Sequence, residues 1–471
     1  MKFFGAVVLS GLAIGCSVSH RADAADWPVI PAADAARLKA RVTCSCLFVQ
    51  KLSLAQCSEG APAIWRYPFA TAGKLLESPN QTLSVVQTPA GGAVRILSSE
   101  SVLAESHYLD DGGGCVTGAA PKEQVSNPAV RTHVESVPLS RAELPRSVDT
   151  RAVDQALASG FSAQGPLGGF ARAAVIVLDD QVVAERYAPR FGPETEYYFG
   201  SVAKVFNNLL AGLLVQDGKL HVKDTVNHPE WQQKGDARAA VTFDQMLHMT
   251  SGIAWDEDFF HPGAPAYEVY FGGAGGTDVA SLVAARSLEA KPGTHFEYST
   301  GAATLLAHAL QRRIGAPVSR AALLQYFSRQ LFAPLGIDGI TVEFDPAGTF
   351  LSGHAAWGQP EDLARIGLMY MNDGKWQQRR VLPEGWVGYS TQPGKAADMP
   401  AEPYGAQLML DMAGVPGCFG HRGVGGQFLI VCPKRGLVVV WFSSLFDFAT
   451  QRAARPEDTL RQLVQAFPEG S

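Results

Sequence analysis

The stretch YYFGSVAKVF, residues 197 to 206, places a serine directly after a glycine and a lysine three residues further on, where a long apolar pattern begins. From Val202 the apolar positions are Val202, Val205, Phe206, Leu209, Leu210, Leu213 and Leu214, a helical period that stops at Asp217-Gly218. Ser201 therefore falls at a helix N-terminus, and Lys204, three residues on, shares its face and brings its amine back toward the hydroxyl. In a partly buried site the lysine pKa falls, and the neutral amine can take the serine proton. The helix N-terminus adds backbone N–H groups and positive potential where an oxyanion would form. The competing reading is an N-cap serine followed by a solvated lysine, since Ser is a favoured cap. One SxxK occurs in the chain, so the motif alone does not choose. The GxSxG pattern fails here, with Phe199 and Ala203 at the glycine positions, and an α/β-hydrolase reading is disfavoured.

A serine and lysine pair needs a third group to pass protons to the leaving atom. KPGTHFEYSTGAATLLAHAL supplies Tyr298 in a Pro-Gly loop just before a helix carrying Leu305, Leu306, Ala309 and Leu310. A core-edge tyrosine is the alternative for this segment alone. Near the C-terminus, FGHRGVGGQFLIVCPKRGLVVV gives two apolar strands around Pro433-Lys434-Arg435-Gly436. Its glycines Gly420, Gly423, Gly425 and Gly426 leave a backbone bare enough for close approach of a carbonyl.

Together these stretches, with MLHMTSGIAWDEDF and EDLARIGLMYMNDGKW, come in one order over about residues 170 to 465 and resemble the serine β-lactamase and DD-peptidase superfamily. The likeness is to its class C-like branch, which holds related carboxylesterases and aminohexanoate-oligomer hydrolases, and MTSGIAWDEDF and GHRGVGGQ look most like the latter. The resemblance implies that Ser201 is the acylated nucleophile, Lys204 its base and Tyr298 the proton shuttle. It puts the third family element, KTG or HxG, on His421-Arg422-Gly423, with the backbone N–H groups of Ser201 and Val424 holding the oxyanion. Two look-alikes are assigned to structure: Tyr370-Met371-Asn372 ends a helical run, and Lys434-Arg435-Gly436 lies in a turn. The chain departs from the lactamases of the superfamily at Thr300, where Asn is usual, and at His421, where Lys is usual. Penicillin hydrolysis is therefore expected to be poor or absent. Arg422 or His421 is expected to meet a substrate carboxylate, with Gly423 beside it. Trp255, Asp256 and Tyr267 are candidates for the acyl pocket, Asp256 for a substrate amine; packing or surface exposure would explain all three equally well.

The 471 residues carry a formal charge of −6, 46% hydrophobic residues and no run of Lys and Arg, which argues against a nucleic-acid partner. Lys2, the apolar run Phe3 to Ile14 and Ala22-Asp23-Ala24 read as a secretory signal peptide cleaved after Ala24. Cys16 behind Leu12-Ala13-Ile14-Gly15 admits a lipid anchor as the alternative. No later stretch reaches transmembrane length, so a periplasmic or secreted protein is expected. Six cysteines remain, Cys44, Cys46, Cys57, Cys115, Cys418 and Cys432, and an even number in an exported chain favours disulfides over zinc. Cys418 and Cys432 flank one strand and are candidates to pair. Connectivity among the first four stays open, as do free buried thiols.

Residues 25–145 read as a small disulfide-containing β-rich unit with strands QTLSVVQT and AVRILSS, followed by a proline-bearing linker. Residues 146–471 follow as a hydrolase domain: strand hairpin, large helical middle, strand hairpin, terminal helix. The fold expected is α+β, β-lactamase/transpeptidase-like, with an antiparallel sheet built from both chain ends, flanking helices and a helical subdomain. The expected activity is cleavage of a small amide or ester through an acyl-enzyme, with no metal or organic cofactor. Carboxylesterase or DD-peptidase action is the alternative within the class, and a non-catalytic envelope-binding or sensor protein the alternative outside it.

Overall fold

A computed structural model of the chain describes residues 31–54, 57, 81–88, 91–119, 137–162, 169–259, 261–270, 278–444 and 456–470. The expected leader and Cys16 lie outside the described residues. The main sheet has six antiparallel strands in the spatial order Met409–Leu410, Phe419–Gly423, Gln427–Cys432, Leu437–Ser443, Ala171–Leu178 and Gln181–Tyr187. Its strands come from the two flanks of the expected hydrolase region, and the long helical middle lies between them in sequence. The fold is α+β and β-lactamase-like, as expected.

The central strands are buried on both faces, so LVVVWFS reads as a continuous apolar run rather than an alternation. Val438 and Val440 face the helix Pro360–Met371, while Val439 and Trp441 face the helices Thr150–Phe161 and Pro456–Gln465. Each fully buried valine contributes roughly 1.5 to 3 kcal/mol relative to exposure, so this two-sided core holds the sheet rigid. Rigidity matters at one place above all. The strand Phe419–Gly423 is covered by Met409–Leu410 only at Phe419 and Gly420, which leaves His421, Arg422 and Gly423 on an open edge.

Earlier in the chain, a four-stranded antiparallel meander runs Gln81–Thr88, Gly91–Ser98, Ser101–Leu109, Gly114–Thr117. The helix Ala32–Cys44 packs Ala36, Ala40 and Cys44 onto Val94, Ile96, Ala104 and Cys115. The same cluster includes Tyr198 and Trp357, so the meander shares its core with the larger body. Buried polar ties reinforce the seam. Arg41 and Ser45 donate to the Glu343 carboxylate at 3.1 and 2.9 Å, Tyr267 donates to Asp34 at 2.7 Å, and Arg320 pairs with Asp111. The last part of the expected linker runs along the sheet edge, with Val182 N–H donating to Ser140 O and Ala142 N–H to Val182 O.

All six described cysteines are paired, as Cys44–Cys115, Cys46–Cys57 and Cys418–Cys432. The last is the pairing expected from the strand they flank. Among the described residues no helix is long and apolar enough to cross a membrane.

Candidate active site

Ser201 lies in a 3₁₀ turn, Gly200–Lys204, that tightens the entry into the α-helix Val205–Gln216. The expected position at the head of a helix holds, with this tighter first turn. The lysine is not solvated: Lys204 is 0% exposed and Ser201 9%. Lys204 Nζ stands 3.2 Å from Ser201 Oγ, 3.3 Å from Thr300 Oγ1 and 2.7 Å from the Gly353 carbonyl oxygen. The Tyr298 ring covers the same amine, its centroid 4.6 Å from Nζ. An amine taken wholly out of water is costly to charge, which is the condition for a lysine to act as a base.

The open strand edge closes on the serine. A Cβ placed on Gly423 would lie 2.2 Å from Phe199 O and 3.0 Å from Ser201 N, and one on Gly200 would lie 3.2 Å from Val424 N. Gly200 also has φ +53°, a left-handed conformation that glycine adopts at no steric cost. The two amides expected to hold an oxyanion thus belong to backbones pressed together without side chains between them. Gly423→Ala should push the strand off the serine turn. We expect acylation of Ser201 to slow by about 100-fold, the usual cost of ångström-scale misplacement. The rate of labelling by a fluorophosphonate measures this, with the melting temperature as the control for folding.

His421 is fully buried. Its Nδ1 is 2.8 Å from the Arg422 carbonyl oxygen, which can only accept, so Nδ1 carries the proton and Nε2 accepts from the Tyr404 hydroxyl at 3.4 Å. Burial, with the Lys204 charge nearby, pushes its pKa down to about 3. A neutral imidazole here brings no cation to a substrate carboxylate, which leaves Arg422 as the charged group at this edge. Arg422 is on the exposed edge but already paired with Glu402 at 3.3 Å and Glu457 at 3.4 Å.

The expected pocket residues separate. Trp255 stacks its indole against the start of the Thr300–Ile314 helix, where a Cβ on Gly301 would lie 2.2 Å from the ring. Asp256 is exposed and accepts the Asp258 N–H at 2.9 Å. Tyr267 is fully buried with its hydroxyl committed to Asp34, so it ties the N-terminal helix to the body and offers no free phenol to a pocket. The two look-alike motifs are where the sequence puts them. Tyr370 sits inside the helix Pro360–Met371 and donates to Asn208 Oδ1 at 2.8 Å, and Lys434 lies in the turn Pro433–Arg435.

Two side chains at the site escaped the sequence reading. Tyr404 fills the space between Tyr298 and His421, with ring centroids 6.0 and 6.1 Å from each. Glu257 is buried, taking the Thr300 N–H at 2.9 Å, the Trp255 indole N–H at 2.5 Å and the Thr300 hydroxyl. The available signal was the acidic loop Asp256-Glu257-Asp258, in which exposed and buried carboxylates differ by one position.

The chain belongs to the beta-lactamase family, whose profile matches residues 155–463. Among its relatives is the 6-aminohexanoate-dimer hydrolase of Paenarthrobacter ureafaciens, 25% identical over 290 residues, which span 58% of this chain and 72% of that protein. A structure from Bacillus anthracis, provisionally named 6-aminohexanoate-dimer hydrolase, superposes with a TM-score of 0.55 at 16% identity, over 89% of this chain and 98% of its own. A family VIII carboxylesterase does so with a TM-score of 0.51 at 14% identity, over 69% and 99%. These two solved structures bear on the fold. By name these relatives are hydrolases, of an aminohexanoate dimer and of carboxylic esters.

Proposed function

We propose that this protein is an exported serine hydrolase that cleaves a short amide or ester through an acyl-enzyme on Ser201, in the manner of the aminohexanoate-dimer hydrolases. The observation that carries the reading is the buried Lys204 amine 3.2 Å from Ser201 Oγ, with the Tyr298 ring laid over it. Lys204 takes the serine proton as Oγ attacks the carbonyl carbon, and the N–H groups of Ser201 and Val424 face the developing oxyanion. Tyr298 passes a proton to the leaving nitrogen or oxygen as the bond to it breaks, and water then releases the acyl group. Residues 25–145 serve as a stabilising extension and 146–471 as the hydrolase; Asp256 is the candidate contact for a substrate amine. Three disulfides suit export behind the leader at residues 1–24.

A carboxylesterase is the second reading. The neutral His421 and the already paired Arg422 favour it, because an uncharged ester asks for no cation at this edge. The same features weigh against any substrate whose carboxylate must be met at this edge, an aminohexanoate dimer as much as a β-lactam or a DD-peptide. Incubation with a fluorophosphonate, followed by intact mass and peptide mapping, should place one adduct on Ser201. Turnover of a p-nitrophenyl ester should vanish in Ser201→Ala. An adduct without turnover of any ester or short amide would return the protein to the sensor class, and no adduct would end the hydrolase reading. Comparing amide oligomers with esters then chooses between the two substrate classes.

A further inference from the structure

We infer that Glu257 is a positioning residue of the reaction, orienting the Thr300 hydroxyl so that the lone pair of Lys204 is aimed at Ser201. The inference rests on the acyl-enzyme reading above. A neutral lysine amine has two N–H donors and one lone pair. Two of the groups that hold it are the Gly353 carbonyl, which can only accept, and Thr300 Oγ1. A hydroxyl has one proton, and that of Thr300 is given to Glu257 Oε1. Thr300 must then accept from Lys204. With two amine hydrogens directed at these acceptors, the lone pair can turn to Ser201 Oγ, 3.2 Å away.

Glu257 is itself locked in place. Its second oxygen, Oε2, takes the Thr300 N–H and the Trp255 indole N–H. Burial raises its carboxyl pKa above the usual carboxylate range, and the Lys204 amine and the Thr300 and Trp255 donors offset that rise only in part. The other titratable groups facing the amine are Tyr298, His354 and His421, and burial keeps both histidines neutral. Capping does not require Glu257, because Ser299 Oγ already accepts the Ala302 N–H at 2.8 Å. A charge at the start of this helix is nevertheless favourable, so a purely structural role is the rival account.

Glu257→Gln separates the two. The glutamine amide keeps the shape but presents an NH₂ to Thr300 Oγ1, turning the hydroxyl proton toward Lys204 and occupying its lone pair. We expect Ser201 phosphonylation to slow ~100-fold, as when a positioned proton acceptor is lost. KM for a p-nitrophenyl ester should stay within about twofold, since the substrate contacts are untouched. Thr300→Val should slow labelling similarly, and Thr300→Ser should restore it to within a few fold of wild type. If Glu257→Gln does not fold, the valine and serine pair at position 300 decides alone. Wild-type labelling rates in Glu257→Gln, or a Thr300→Ser variant as slow as Thr300→Val, would overturn the inference. Labelling that persists in Ser201→Ala would instead remove the acyl-enzyme reading beneath it.

Discussion

Lys204→Met should yield a folded protein in which phosphonylation of Ser201 is slower than in wild type by at least ~1,000-fold, within the range set by loss of a general base. Methionine fills nearly the same volume without an amine, so the packing under Tyr298 survives while the proton acceptor 3.2 Å from Oγ disappears. Stability is decided by two opposed changes. Removing an amine that is 0% exposed relieves its desolvation, but the Gly353 carbonyl and the Thr300 hydroxyl lose a donor. Each change is on the order of 1 to 3 kcal/mol, so the net change should stay small beside the kinetic one. Labelling rate by intact mass and the urea midpoint measure the two separately. A variant that labels within tenfold of wild type would mean that another group accepts the serine proton, and the roles given to Lys204 and Thr300 would fall together.

What the sequence revealed of this site follows from how far apart the partners lie along the chain. Ser201 and Lys204 are one helical turn apart, and local periodicity alone brings them together. Gly423 was legible for a related reason, because a glycine cluster before an apolar strand has few explanations other than close backbone approach. Glu257 was not legible. It reaches Thr300 across 43 residues, from a loop without periodicity. Its neighbour Asp256 looked equally suitable, and only the tertiary fold makes one exposed and the other buried. The same applies to Tyr404, which becomes a partner of His421 only when the Phe419–Gly423 strand is in register. At the level of the fold, the central strands announced themselves by unbroken apolar runs. The helix Ala32–Cys44 did not, because an alanine face is too weakly hydrophobic to stand out in an Ala-rich stretch.

Glu343→Ala should produce the largest loss of stability, about 3 to 5 kcal/mol, as expected when one partner of a buried ion pair is removed. The carboxylate is almost wholly enclosed and takes three donors: Arg41 at 3.1 Å, Ser45 at 2.9 Å and the Trp357 indole at 3.0 Å. Alanine leaves the Arg41 guanidinium buried without its counter-charge and two further donors unsatisfied. The damage falls on the seam, since Arg41 and Ser45 come from the N-terminal segment and Glu343 and Trp357 from the larger body. Replacing both charges by apolar groups, Arg41→Met with Glu343→Leu, should recover most of the loss, because no lone charge then remains in the core. Arg41 also bears electrostatically on His354, which follows the Gly353 carbonyl that holds Lys204. Weakening the seam should therefore reach the site, but only as a secondary effect, with labelling per folded molecule falling less than about tenfold. Denaturant midpoints of the two single variants and the double variant provide the test. A single-variant loss below about 1 kcal/mol, the level of an exposed pair, would show that the N-terminal extension is held by its apolar contacts alone.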